Sequence, residues 1–287
     1  MAAQAARKFG EGEVQDFAFT DRNFETLREI VRDKTGISLS DFKRTLVYGR
    51  LARRLRKLEL TSFDDYCTFL EENPETELEH FTNAITTNLT AFFRENHHFE
   101  FLANELLPEL VDTRRQRRLR IWSAGCSTGE EPYSLAMTLR ESIPHIDNLD
   151  VRILATDIDS SVLAVAEAGV YDDARVAGLP AARLKRWFQR GSGRNHGKVR
   201  VREELRRLIS FRRLNLMDPW PMRGSFDLIM CRNVVIYFDK QTQSSLFERF
   251  ANQSPPDGHL IIGHSENLHS LSDRYSLIGK TVYRKQA

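Results

Sequence analysis

This chain has little excess charge, few cysteines and no long apolar run. Its 42 Lys and Arg nearly cancel its 40 Asp and Glu, leaving +2 over 287 residues. Net charge therefore does not announce a nucleic-acid binder. Cys67, Cys126 and Cys231 lack metal-ligand spacing, and an odd count argues against a disulfide framework. Nowhere do about 18 apolar residues run together, which excludes a spanning helix. Met1 to Val14 offers no apolar core for a signal peptide. These absences lead us to expect a cytoplasmic protein, with residues 1–20 as a flexible tail.

What is present is ordinary globular composition, 41% hydrophobic and 29% charged. Helical spacing of Phe24, Leu27 and Val31, closed by Gly36, starts a small all-helical domain over 21–87. Ser40 or Asp41 can cap a second helix running to about Leu60. Ser62 caps a third, with Asp65 completing a capping box. Asn73-Pro74 precedes a fourth. Residues 88–113 read as a linker in which Pro108 kinks or ends a helix.

From 114 to 287 short apolar runs alternate with helical stretches, the pattern of an α/β fold with a mainly parallel sheet. The runs are Leu119–Ala124, Val151–Thr156, Leu208–Leu214, Phe226–Cys231 and Leu260–Gly263, with a terminal hairpin around Gly279-Lys280. Period-2 alternation and a Gly-rich turn mark an inserted antiparallel β-subdomain over 186–213, which takes in Ile209–Arg212.

The first strand enters Ala124-Gly125-Cys126-Ser127-Thr128-Gly129-Glu130-Glu131, a strand–turn–helix that suits a nucleoside or simply makes a tight turn. Glu130 and Glu131 sit where a pyrophosphate would rest and disfavour it. A sulfonium cofactor with an amino group fits better. Asp157 comes directly off the second strand and can accept from ribose hydroxyls, whereas Asp159 suits a helix cap. Asn215 and Leu216 follow the third strand, suited to an amide contact and apolar cover for adenine. The fourth leads into Cys231-Arg232-Asn233. His97 and His98 are adjacent and expected to splay apart, so no metal site is assigned.

Five motifs in order carry a resemblance: Thr87-Asn88-Leu89-Thr90-Ala91-Phe92-Phe93-Arg94-Glu95, Ser127-Thr128-Gly129-Glu130-Glu131-Pro132-Tyr133-Ser134, Asp157-Ile158-Asp159, Cys231-Arg232-Asn233-Val234 with Ile236-Tyr237-Phe238, and Gly263-His264-Ser265-Glu266. The chain resembles the chemotaxis receptor methyltransferases (CheR) from about Phe24 to Arg284. The resemblance implies a receptor-recognition role for the helical domain and a Rossmann-like class I methyltransferase fold for the second. It implies S-adenosylmethionine as cofactor and S-adenosylhomocysteine as product. The substrates would be glutamates on chemoreceptor cytoplasmic helices, methylated to esters. Asn88, Thr90, Arg94, Glu131, Asp157, Asn215, Leu216, Arg232 and Asn233 would surround the cofactor, and Arg94 and Tyr237 would stand near the transferring methyl. The enzyme would be a monomer recruited to membrane receptor arrays, without nucleic acid or membrane insertion. In some members of the family the β-subdomain holds a receptor C-terminal peptide; here it would either do so, with Arg200, Arg202, Arg212 and Arg213 meeting the peptide's carboxylates, or merely cover the sheet edge.

A glutamate is ionised near neutral pH, so no general base is required. Alignment and loss of water carry the rate, and such proximity is worth about 7–11 kcal/mol in favourable cases. Lys43, Arg50, Arg53, Arg54, Arg56 and Lys57 lie on a stretch free of acidic residues, which suits docking to glutamate-rich helices. Two rivals remain. Arg53, Arg54 and the basic run 114–118 would suit a nucleic-acid methyltransferase, but Arg232-Asn233-Val234 replaces the Pro-Pro-Tyr type of motif. The presence of Arg94, Asp157 and Tyr237 together argues against a catalytically silent cofactor-binding adaptor.

Overall fold

A computed structural model describes residues 16–113 and 118–286. The tail expected over 1–20 and the basic run 114–118 therefore lie largely outside the described residues. Two compact units emerge, one from 16–30 with Ser40–Ile85, the other from Val31–Leu39 with 86–286.

The first unit holds α1 (Asp21–Thr35, up to Ile30), α2 (Arg44–Leu58), α3 (Phe63–Glu72) and α4 (Pro74–Ile85). Phe24, Leu27, Val47, Leu51, Leu55, Phe63, Tyr66 and Phe81 form its core. The Asp65 N–H donates to Ser62 Oγ at 3.1 Å, and the Ser62 hydroxyl donates to Asp65 Oδ2 at 2.7 Å. That is the reciprocal cap expected for this spacing.

Not all of the basic residues of α2 face outward. Arg54 turns in, donating from Nε to Glu77 Oε1 at 2.7 Å, where the Tyr66 hydroxyl also donates. The Glu77 side chain is 1% exposed. Arg50 donates to the Ile85 carbonyl at 2.6 Å, capping the negative end of α4. Arg56 pairs with Asp16. A stretch without acidic neighbours in sequence thus finds its counter-charges on other elements. Arg53, Arg56 and Lys57 are exposed, and Lys43 is half-buried.

In the second unit α5 (His97–Phe101), a π-helical turn (Leu102–Leu106) and α6 (Leu107–Thr113) run together. Pro108 does not end this helix, but the α pattern gives way to the π-helical turn just before it. The wider turn immediately before it relieves the ring's clash with the preceding carbonyls. Phe99, Leu102, Leu106, Leu107 and Leu110 share a core cluster with Ile121 and Ile153. The segment read as a linker is therefore packed structure.

Then follow β1 (Arg118–Ala124), α7 (Glu130–Ser142), β2 (Asp150–Asp157), α8 (Ser160–Ala168), β3 (Val170–Asp172), α9 (Asp173–Val176), α10 (Ala181–Trp187), β4 (Phe188–Arg190), β5 (Lys198–Val201), α11 (Glu203–Arg206), β6 (Ile209–Arg213), β7 (Leu228–Cys231), α12 (Lys240–Asn252), β8 (His259–Ile262), β9 (Tyr275–Gly279) and β10 (Val282–Lys285). The main sheet runs β6-β2-β1-β7-β8-β10-β9. Its first five strands are parallel, and β10 and β9 form the antiparallel hairpin. β3, β5 and β4 form a separate antiparallel sheet.

The inserted subdomain differs from expectation at its end. Ile209–Arg213 pairs with β2 in the main sheet, so Arg212 and Arg213 do not stand on the small sheet. Its third strand is Val170–Asp172, too short to show alternation. Among the described residues no helix is long and apolar enough to cross a membrane.

Candidate active site

The parallel strands place their carboxyl ends together, where ligands bind in such sheets. β1 delivers a loop in which Gly125, Ser127 and Gly129 all have positive φ. The N–H groups of Gly125 and Cys126 donate to the Thr156 carbonyl at 2.8 and 2.9 Å. A Cβ on Gly129 would sit 2.8 Å from that of Ala166 and one on Gly125 would strike Val234. The glycines thus answer both the turn and a close approach by neighbours.

The two loop carboxylates part company. Glu130, fully buried, takes the Thr128 hydroxyl at 2.6 Å and pairs with Arg175. It is taken up by the loop's own Thr128 and by Arg175 of α9, and only Glu131, the one assigned to the cofactor, turns to the strand ends. Glu131 points to the strand ends, accepting from Ser123 Oγ at 2.8 Å and from Arg232 at 3.0 Å. Burial pushes its carboxyl above the ordinary range, against the pull of Arg232.

Asp157 ends β2 and is buried. Its oxygens accept from the backbone N–H of Ser127 at 2.8 Å and of Asp159 at 3.0 Å. Burial raises it to about 6, despite those bonds. A carboxylate has about four acceptor positions, so room remains for hydroxyl donors. Asp159 is the N-cap of α8, taking Ser161 N at 2.9 Å. It also holds Thr86 and Asn88, at 2.8 and 2.7 Å, and so draws the 86–96 segment to the strand ends.

Arg232, 6% exposed, is the junction of the site. It bonds Glu131, pairs with Glu95 at 3.3 Å and donates to the Arg94 carbonyl. Asn233, at φ 58, donates from Nδ2 to Glu95 at 3.1 Å and from N to Glu266 at 2.9 Å. Glu266 also takes Gly263 N at 2.6 Å and Ile236 N at 3.2 Å. The last motif of the sequence therefore pins the 233–236 loop, and Glu95 and Glu266 both escaped the sequence-based site. Their position in the quoted motifs was the only available signal.

Around this junction, Arg94 donates to the Leu89 carbonyl at 2.7 Å. Thr90 and Tyr237 are half-buried, and the Tyr237 carbonyl accepts from Ser38 N at 2.7 Å. Asn215 follows β6. Its amide donates to the Lys34 carbonyl at 2.8 Å and accepts from Met217 N at 3.0 Å. Leu216 is buried against the cluster of Trp122 and Phe250.

His97 and His98 do not splay: their ring centroids are 4.1 Å apart. With Glu95 they could group three ligand atoms within 4.8 Å of one another. One feature speaks against a cation there: Arg232 and His264 already engage the Glu95 carboxylate. Burial with Arg232 nearby lowers His98 to about 4 and keeps it neutral.

The carboxylates Asp157 and Glu131 at the strand ends fit a hydroxyl-bearing, positively charged nucleoside better than a pyrophosphate. Comparison with known proteins agrees. The model for the CheR methyltransferase all-alpha domain matches residues 22–86, and that for the CheR methyltransferase SAM-binding domain matches 88–284. Chemotaxis protein methyltransferase 2 of Pseudomonas aeruginosa is 50% identical over 270 residues, covering 94% of this chain and 95% of that protein. The chemotaxis protein methyltransferase of Escherichia coli is 45% identical over 268 residues, covering 93% and 91%. That of Salmonella typhimurium is 44% identical over 271 residues, covering 94% and 92%. With nearly its whole length matched in both domains, the chain belongs to the CheR family of chemotaxis protein methyltransferases, an all-α domain joined to a SAM-binding α/β domain.

Proposed function

We propose that the protein transfers the methyl group of S-adenosylmethionine to glutamate side chains on chemoreceptor cytoplasmic helices, giving methyl esters and S-adenosylhomocysteine. The observation that carries this reading is the carboxylate-rich strand-end network, Asp157 off β2 and Glu131 sharing Arg232 with Glu95.

The cofactor supplies an electrophilic methyl on sulfonium sulfur. Asp157 would accept from its ribose hydroxyls, Glu131 would meet its amino group, and Asn215 and Leu216 would hold its adenine. Asn88, Thr90, Arg232 and Asn233 complete the enclosure. Arg94 and Tyr237 orient the incoming carboxylate by hydrogen bonds. An ionised glutamate carboxylate would accept the methyl directly, so no residue of this chain has to move a proton. The site accordingly needs alignment rather than a base.

Docking falls to the exposed Arg53 and Lys57, joined by Arg56, whose pair with Asp16 is at the surface, since Arg54 and Arg50 are turned into the helical unit. The protein acts as a monomer in the cytoplasm at receptor arrays. The small sheet offers β4 as an edge strand, with Arg200 and Arg202 exposed beside it. A receptor C-terminal peptide can add there as a further strand. Calorimetry with such a peptide tests this, and binding that survives deletion of 191–197 contradicts it.

Labelled methyl transferred to a receptor cytoplasmic fragment should be released as methanol by mild base. Label that resists base means nitrogen methylation, and absence of label means an adaptor.

A further inference from the structure

The helix α2 and the turn before it are apolar on two faces, and only one of them has a core to fill. Val47, Leu51 and Leu55 recur at helical spacing and are fully buried in the helical unit. On the opposite side Phe42 is 98% exposed and Leu46 41%. A single exposed leucine is ordinary. These two stand one turn apart, and Phe42 forfeits nearly all the burial from which an aromatic side chain gains. Nor is Phe42 loosely held. It sits in the 3-10 turn Asp41–Lys43, closed by the Lys43 N–H on the Ser40 carbonyl at 2.9 Å and tied to α1 by the pair of Asp41 with Arg28.

The stripe continues along the helix. At about 100° per residue, Phe42, Leu46, Gly49 and Arg53 fall on one narrow arc, flanked by Arg56 and Lys57. All six are exposed. Gly49 is the second anomaly. A glycine inside a helix weakens it relative to alanine, and the helical backbone here makes no use of glycine's freedom. Nor does a neighbour demand it, since a Cβ at position 49 would meet nothing within 4 Å. The missing side chain leaves a notch between Leu46 and Arg53, where a second helix can bring its backbone close. The far end is unrelieved positive charge, with no acidic residue between Lys43 and Leu58.

We infer that this face of α2 is a helix-docking stripe: Phe42, Leu46 and the Gly49 notch grip an amphipathic receptor helix, while Arg53, Arg56 and Lys57 meet its glutamates about two turns on. The inference rests on the reading above that the chain methylates receptor glutamates. It adds that apolar burial, and not charge alone, fixes which helix is engaged. Charge steers the encounter, whereas a buried aromatic anchor holds the complex. Charge also chooses the occupant. A second copy of the stripe would set basic end against basic end, or basic end against apolar end, and gains nothing from either.

The test compares wild type, Phe42→Ser with Leu46→Ser, and Gly49→Ala, all as full chains, against a chemoreceptor cytoplasmic fragment. Calorimetry reads binding directly, and initial rates read methylation. The double variant should bind the fragment about tenfold more weakly and raise the apparent KM to match, from burial lost at two large side chains. Its kcat at saturation, its affinity for S-adenosylhomocysteine and its melting midpoint should stay as in wild type. The factor should be the same at about 0.01 and 0.1 M salt, although the screening length falls from about 30 to 10 Å and weakens the basic end. Gly49→Ala should raise the melting midpoint yet weaken fragment binding severalfold, a combination that a merely structural glycine does not give. Unchanged binding in the double variant would overturn the inference, as would a wild type that ignores the fragment. Self-association of wild type that the double variant loses would assign the stripe to a second copy and overturn it too. Fragment binding that depends on Phe42 and Leu46, without any methyl ester formed by wild type, would instead sink the enzymatic reading and leave the docking stripe standing.

Discussion

Asp157 at about 6 makes the empty site pH-sensitive in a range where most carboxylates are silent. On the proposed reading ribose hydroxyls would donate to the ionised form, so binding should expel the proton wherever the ligand-free protein still holds one. With the bound carboxyl back near its ordinary 3.8, affinity for S-adenosylhomocysteine should be flat above about pH 7. It should be about tenfold weaker at about pH 5 than at about pH 7, since the empty site is then largely protonated. The sign for folding runs the other way. The raised value means that ionised Asp157 costs stability at neutral pH, on the order of 3 kcal/mol. That cost fades as pH falls from about 6 towards 3.8, so weakened binding in this window does not stem from unfolding driven by Asp157. Calorimetry across this range, in two buffers of different ionisation enthalpy, reads both the affinity and the proton released. Asp157→Asn should lower affinity at neutral pH about ten- to a hundredfold. It should also remove most of the pH dependence, the remainder belonging to Glu131. A wild-type affinity that does not change with pH, or a slope that survives in Asp157→Asn, would refute the reasoning.

Tyr237→Phe should lower turnover while leaving affinity for S-adenosylhomocysteine within about twofold, because a lost neutral hydrogen bond to the substrate is worth about 1 kcal/mol and touches no cofactor contact; lost cofactor affinity with normal turnover at saturation would contradict the assignment. Arg53→Glu with Lys57→Glu should raise the apparent KM for receptor without altering cofactor binding, and the wild-type KM should rise with salt, since exposed charges are screened over about 10 Å at 0.1 M. A KM indifferent to salt would remove the docking face. Arg54→Ala should act on folding instead, costing the helical unit about 3 kcal/mol by stranding buried Glu77. Denaturant melts check this, and an unchanged midpoint would contradict the inward placement of Arg54.

Much of this architecture is legible from local pattern. Ser62 and Asp65 announce their cap because capping is a three-residue affair. Ile121, Ile153 and Leu228 announce a buried parallel sheet because short, mainly apolar runs alternate with helical stretches. The failures have one cause, which is long-range pairing. Arg54 reads as part of a basic face until Glu77, 23 residues away, is placed beside it. Ile209–Arg213 alternates like a ribbon strand but finds its partner in β2. Val170–Asp172 is three residues long and shows no period at all. In the site, Asp157 and Arg232 stand at strand ends and so can be found by position. Glu95 lies in the 86–96 segment and acquires its role from Arg232, 137 positions on, which no spacing rule reveals.

Tandem mass spectrometry of a chemoreceptor cytoplasmic fragment, after incubation with the protein and S-adenosylmethionine, tests the central claim most directly. One methyl on glutamate side chains of its helices, lost on brief alkaline treatment, is the expected result; a methyl on any nitrogen, or an unmodified receptor with the cofactor bound but unspent, would contradict it.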